Sequence, residues 1–141
     1  MNEDVNKILR GTFGRVWMNG ERLSNVKEYE AKATLNYEDV DMNDDLSTAR
    51  RYMGYSVEGT MLLHKVDSKV LKLYQKGIVS GDIPEIKFVS AIADPTVDGQ
   101  ERVEIYGVTF DEVTLSKFAN KTLLEEEVPF KARGFHVIDA I

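Results

Sequence analysis

The chain has 141 residues, enough for one domain with a core of its own. It is 43% hydrophobic and 30% charged, which excludes a disordered chain, and its net charge of −6 argues against a dedicated nucleic-acid binder with a basic stripe for phosphates. There is no cysteine, so disulfides and thiolate metal sites are excluded, and no apolar run approaches the roughly 20 residues of a membrane-spanning helix.

Residues 1–9 are polar, carry Glu3 and Asp4 and lack the apolar stretch of a signal peptide. They are expected to form a flexible N-terminal arm. A strand follows over residues 12–18, with Phe13, Val16 and Trp17, and Asn19-Gly20 is the dipeptide that best accommodates the two positive φ angles of a type I′ hairpin turn. The chain returns through residues 21–26 into a long strand over residues 27–38. Tyr29, Ala31, Ala33, Leu35 and Tyr37 alternate there with Glu28, Glu30, Lys32, Thr34, Asn36 and Glu38, giving one dry and one wet face.

Residues 39–51 break this alternation and read as a loop, acidic at one end through Asp39, Asp41, Asp44 and Asp45 and basic at the other through Arg50 and Arg51. The acids alternate like the start of an EF-hand, but Asp44 stands where that loop needs glycine and Arg50 where it needs a bidentate glutamate. Strand character resumes over residues 52–64, with Met53, Tyr55, Val57, Gly59, Met61 and Leu63 on one face and Ser56, Glu58, Thr60 and His64 on the other. Asp67 or Ser68 can cap a helix that reaches about Lys76, with Gly77 as its stop and Val70, Leu71, Leu73, Tyr74 and Ile78 as the stripe laid on the sheet's dry face.

Pro84 opens a strand over residues 85–93, Asp94-Pro95 and Asp98-Gly99 make a turn, and a further strand covers residues 102–110. Leu115 and Phe118 are expected to anchor the connection over residues 111–121. The last clear strand spans residues 123–132, where Pro129 points to an edge or bulge, and an apolar tail with Phe135, Val137, Ile138 and Ile141 follows. Six or seven strands and one helix make a single domain over residues 1–141. The class is mainly β, an antiparallel β-sandwich or partly open barrel with one flanking α-helix.

Signals for chemistry are weak. His64 and His136 lie far apart in sequence, and no zinc-protease, nucleophile-elbow or phosphate-loop spacing is present. Glu28 with Glu30, or Glu125 to Glu127, could serve as a glycosidase pair only in a pocket that raises one pKa, and an open strand face offers none. Trp17, Tyr29, Tyr37 and Tyr106 sit among apolar positions and read as core packing rather than base-stacking platforms.

Several blocks in order resemble one family. Gly11-Thr12-Phe13-Gly14-Arg15-Val16-Trp17-Met18-Asn19-Gly20-Glu21 is similar to the N-terminal block of the XkdM-like phage tail tube proteins, found in PBSX-type prophage tails, related contractile phages and R-type or diffocin-like particles. Gly59 to Lys69, with His64-Lys65-Val66, resembles the segment before that family's helix. Ala93-Asp94-Pro95, Gly99-Gln100-Glu101-Arg102-Val103 and Gly107-Val108-Thr109-Phe110-Asp111 resemble its central block. Glu127-Val128-Pro129-Phe130 and Ile138-Asp139-Ala140-Ile141 resemble its C-terminal one. The chain departs from the pattern at Asn43-Asp44-Asp45-Leu46-Ser47-Thr48, where the family has a glycine-rich loop, and at Phe118, where it has tryptophan.

The resemblance implies a fold akin to the tubes of tails and of type VI secretion, no enzymatic activity and no cofactor. It implies hexameric rings stacked into the inner tube of a contractile tail or tail-like particle, assembled in the bacterial host cytoplasm. Tail sheath, tape measure and baseplate proteins would be its partners, and DNA would be a cargo in transit; no membrane binding is implied. With the residue pattern, it gives two sets of candidate site residues. The wet face of the long strands, Glu28, Glu30, Lys32, Thr34, Asn36, Glu38 and Glu58, is expected to line a negative bore that does not hold phosphate. Asp41, Asp44, Asp45, Arg50 and Arg51 of the loop at 39–51 are expected to contact neighbouring subunits, with the loop floppy in the free chain. The competing expectation is a monomeric ligand-binding β-barrel or a hydrolase, either with a closed pocket.

Overall fold

The computed structural model describes residues 5–141. The expected flexible arm falls partly on residues 1–4, outside the described residues; Val5–Lys7 form a short 3-10 turn, and a second one spans Gly11–Phe13. Strand β1, Gly14–Met18, turns at Asn19-Gly20 into β2, Glu21–Arg22. Asn19 has φ 51° and Gly20 has φ 83°, the left-handed pair that this turn needs. The Asn19 side chain also accepts the Lys87 N–H at 2.9 Å, tying the turn to the neighbouring strand. Val16 and Met18 point inward, whereas Trp17 lies on the outer face.

The hairpin of β3, Val26–Asp41, and β4, Thr48–His64, is the longest feature of the chain. It absorbs most of the stretch expected as a loop: Asp39 pairs with Arg50, Val40 with Ala49 and Asp41 with Thr48, leaving only residues 42–47 as the connection. Helix α1, Lys69–Ser80, is also longer than expected. Gly77 does not end it but sits inside it, because a Cβ there would lie 2.8 Å from the Asp82 carbonyl and 3.2 Å from Pro84. Gly81, at φ 84°, is the left-handed residue that closes the helix.

Strands β5, Ile86–Ile92, and β6, Glu101–Phe110, bring the chain back across the core. Strand β6 turns the corner of the fold. It pairs with β5 along its length; beyond the bulge at Gly107, φ 63°, Thr109 and Phe110 pair instead with β7, Glu125–Ala132. The tail is not a coil but strand β8, Gly134–Asp139, which covers the other edge of β6. Its side chains are exposed on both faces, so it lacks the alternation by which a strand is recognised. The resulting order is β2-β1-β5-β6-β7-β4-β3, a curled sheet that does not close on itself.

The core is a chain of rings between the two curled halves. Phe88 of β5 meets Phe130 of β7 at 5.1 Å, and Tyr29 of β3 lies 6.1 Å from Phe130. Tyr74 docks α1 on Phe110 at 4.8 Å, and its hydroxyl accepts the Phe110 N–H at 3.0 Å. Burying Phe88 and Phe130 completely contributes about 2–3 kcal/mol each. Burial pushes the Tyr29 phenol up to about 12, against a smaller opposing pull from Ser90. Leu115 and Phe118 are not the expected anchors: they are 75% and 85% exposed on an irregular connection. Pro129 fits its strand because its carbonyl accepts from Asp111 and its absent N–H faces the same side, where β6 has already left the ladder.

Asp94, fully buried, fixes the N-terminal segment. Its carboxylate takes a two-pronged contact from Arg10 at 2.8 and 2.9 Å and a third bond from the Arg10 backbone N–H, while Thr96 donates from its N–H and hydroxyl. The Arg10 bond, aided by Thr96, holds the Asp94 carboxyl well below the usual carboxylate range. Its stabilising contribution is therefore complete above the unfolded value, about pH 4, and is lost as pH falls from there through the depressed folded value. Asp94→Asn is expected to lower Tm clearly at pH 7, with the gap to the parent narrowing steadily below about pH 4. Melting curves across that range check this, and a gap independent of pH refutes it.

Candidate functional site

The β3–β4 hairpin outruns the sheet that supports it. Strand β7 flanks β4 only from His64 to Val57, so residues 34–41 and 48–56 pair only with each other. At about 3.4 Å per residue this unflanked ribbon projects roughly 30 Å. A two-stranded ribbon alone is marginal in water. It also leaves backbone donors and acceptors unpaired on both long edges, because among the described residues no strand pairs with the outer edge of β3.

The register sorts the expected site residues onto two faces. Cross-strand partners share a face, and Glu30 pairs with Thr60, Lys32 with Glu58, Thr34 with Ser56 and Asn36 with Gly54. Glu28, Glu30, Lys32, Thr34, Asn36 and Glu58 therefore lie together on the wet face, Glu58 half-buried and the others exposed. Glu38 continues that face opposite Arg51. Strand β7 adds Glu127 beside Leu62 and Lys131 beside Glu58. These two charges were missed in the sequence, though period-two counting along residues 125–132 places both outward. On the supported part of the sheet Glu28, Glu30, Glu58 and Glu127 face Lys32 and Lys131, so this face is negative but mixed.

The opposite face is apolar and uncovered. Leu35 is 50% exposed, Tyr52 48% and Tyr55 43%. Tyr37 meets Tyr52 at 5.8 Å, Tyr55 meets Phe135 of β8 at 5.7 Å, and Arg50 lies over the Tyr37 ring at 4.1 Å. Core packing, expected for all the strand aromatics, holds for Tyr29 but not for Tyr37, because the dry face runs past the end of the core. A register shift between Asn36 and Tyr37, with Met53 as the extra residue and Gly54 at φ 131°, twists the ribbon there.

Of the residues expected to contact neighbours, Asp41, Asp44 and Asp45 gather at the tip. Arg50 and Arg51 sit back along the ribbon on opposite faces, opposite Asp39 and Glu38. The basic end therefore faces acids of its own arm, and the tip is acidic alone. Asp45 accepts the Ser47 N–H at 2.9 Å and its hydroxyl at 2.7 Å, the N–H being the larger cause that lowers its pKa. The histidines take no part: His64 is exposed at the end of β4 and His136 stacks on Tyr106 at 5.1 Å.

This architecture has known counterparts. Residues 2–139 match the family of phage tail tube proteins. The chain belongs to the phage tail tube protein family. It is 30% identical over 131 residues to the phage-like element PBSX protein XkdM of Bacillus subtilis (strain 168), covering 92% of this chain and 89% of that one. Its fold matches a chain of the extended sheath–tube complex of PVC, an extracellular contractile injection system, with a TM-score of 0.65 at 8% identity over 98% of this chain and 99% of that one. It also matches a chain of the tail of an empty gene transfer agent particle with C6 symmetry, with a TM-score of 0.55 at 10% identity over 92% and 98% of the two chains. The long hairpin of this tail tube protein is thus part of a fold shared with chains of these two assemblies.

In the free chain the arm is expected to open far more often than the sheet it grows from. Amides of residues 34–41 and 48–56 should exchange at least about a hundredfold faster than those of residues 57–63. Equal protection of the two regions, read by hydrogen–deuterium exchange on dilute protein, refutes this.

Proposed function

We propose that copies of this tail tube protein close into six-membered rings that stack into the inner tube of a contractile tail or tail-like particle. The observation that carries this reading is the unflanked β3–β4 ribbon, with two vacant edges and an uncovered apolar face. A monomer gains nothing from such a ribbon, whereas neighbours that continue the sheet satisfy its backbone and cover Leu35, Tyr37, Tyr52 and Tyr55. The six-fold number is supported by the C6 symmetry of the gene transfer agent tail with the same fold. The match to a sheath–tube complex supports a surrounding sheath as a partner. Tape measure and baseplate proteins, at the two ends of such a tube, complete the assembly.

In this arrangement the wet face turns to the bore and the apolar face to neighbouring subunits. Glu28, Glu30, Glu58 and Glu127 then repel the phosphates of DNA in transit, while Lys32 and Lys131 keep the field modest. The acidic tip with Asp41, Asp44 and Asp45 reaches a neighbouring subunit, and Arg50 and Arg51 lie along the ribbon where it meets the next copy. The finished protein resides in the tail of the particle, having been assembled in the host cytoplasm.

Negative-stain microscopy of the purified full chain tests the assembly: rings or rods are expected, and monodisperse featureless particles at every concentration refute it in favour of a monomer. The bore assignment is tested separately. Glu28→Lys, Glu30→Lys and Glu58→Lys combined are expected to slow DNA release from filled particles by about tenfold at low salt, with the effect fading as ionic strength rises. Unchanged release kinetics in particles of normal appearance refute the bore assignment.

A further inference from the structure

We propose that the outer face of β1, β5 and β6 is the surface on which the sheath docks, through an acidic segment that brings carboxylates to Arg15 and Arg102 and an apolar side chain onto Trp17. The inference rests on the tube reading above and adds the contact surface to it. Phe88 of β5 and Phe130 of β7 meet at 5.1 Å, so the inner faces of the two half-sheets look at each other across the core. The outer face of β5 therefore points away from the wet face of β7. With that wet face turned to the bore, the outer face of β1, β5 and β6 lies on the outside of the tube.

The register places the side chains of this face. Trp17 pairs with Val89 and Val89 with Glu104, while Arg15 pairs with Ala91 and Ala91 with Arg102. Trp17, Val89 and Ala91 are half-buried and form a shallow apolar strip, with Arg15 and Arg102 exposed beside it. The other charges here are already engaged. Lys87 is tied to Glu104 at 3.3 Å, and Asp139, opposite Arg102, accepts from the Gln100 amide at 3.2 Å. Arg15 and Arg102 are in no ion pair among the described residues. Arg15 donates to the Phe13 carbonyl at 3.1 Å, and the Arg102 guanidinium lies 6.0 Å from the centre of the Trp17 ring.

This chemistry selects the partner. Cations outnumber acids on the face, Arg15, Lys87 and Arg102 against Glu104 and Asp139, in a chain whose net charge is −6. The patch is thus opposite in sign to the face assigned to the bore. Tryptophan and arginine are the residue types that dominate interface energetics, because a flat ring and a planar cation bury much area and hold few polar groups out of water. Two strand spacings, roughly 10 Å, separate the backbones of Arg15 and Arg102. Neighbouring carboxylates of one segment span that gap. An apolar side chain laid on Trp17 between them keeps water from the charge pairs and strengthens them.

Rods of the full chain, mixed with the sheath subunit purified from the same particle, test this. Arg15→Glu with Arg102→Glu is expected to leave the rods intact but to retain about a tenth or less of the sheath that sediments with parent rods, and the parent's own retention is expected to fall at high salt. Lys72→Glu with Lys76→Glu, the same change of charge at exposed positions of α1, is expected to retain sheath as the parent does. Where the reversed chain forms no rods, Arg15→Gln with Arg102→Gln carries the same expectation of lost sheath. Hydroxyl-radical oxidation gives a second readout, because Trp17 is the one tryptophan of the chain. It is expected to react equally in the free chain and in bare rods, and about fivefold less in sheathed rods. Trp17 already shielded in bare rods gives the face to a second copy and overturns the sheath assignment. Sheath retained by the arginine variants, or lost equally from the lysine ones, overturns it too, and all three results leave the tube reading standing. A parent chain that forms no rods removes the tube and this surface together.

Discussion

The rest of the structure depends on a mismatch of lengths. Strand β4 runs for 17 residues, but its neighbour β7 has only eight to offer it. A sheet of this kind gains stability from the core it covers, and here that core ends near Val57 and Phe130. Past that point the hairpin continues on cross-strand pairs alone, with backbone groups facing water along both edges. Three features follow from that overrun: the vacant edges, the apolar face met only by Phe135 at Tyr55 and the remote acidic tip.

The hairpin is held at its root by features that contribute little elsewhere. Gly59 lies where a Cβ would clash with the Glu30 carbonyl and come within 2.7 Å of the Phe130 ring. This close approach lets Tyr29 and Phe130 stack beneath the ribbon, so the arm leaves the core from a rigid base. The corner at Gly107 works in the same sense. By switching β6 from one half of the sheet to the other, it leaves β8 free to lie beside the arm, where Phe135 touches Tyr55. Two glycines therefore set the direction in which the arm emerges, whereas the arm's own residues set what it can bind.

The parts of the fold that were legible in the sequence are those where one physical demand acted alone. Asn19-Gly20 answers only to a tight turn, and the alternation from Glu28 to Tyr37 answers only to one wet and one dry side. Illegible stretches served two demands at once. Residues 39–51 look like a loop because their charges are dense, yet those charges are cross-strand partners, Glu38 with Arg51 and Asp39 with Arg50, and charge density carries no period. Gly77 looks like a helix stop but is small because residues 82–84 pass close to it. The tail from Phe135 to Ile141 looks shapeless because both faces of β8 carry apolar side chains, half-exposed in one copy. The exposed apolar face was the hardest to read, since Leu35, Tyr37, Tyr52 and Tyr55 keep the alternation of a core face past the point where the core ends.

The charge pattern of the arm follows from its exposure before assembly. An uncovered apolar ribbon with open edges is also a template for disordered aggregation. The chain counters this without giving up the contact surface. Acidic Glu38 and Asp39 on β3 stand opposite basic Arg51 and Arg50 on β4, so two β3 edges, or two β4 edges, brought together set like charges opposite each other. The bulge at Met53 and the twist at Gly54 further restrict which edge can lie flat against it. The same charges that disguise the arm as a loop thus disfavour the pairing of like edges, and they leave the apolar face of the exposed ribbon unchanged.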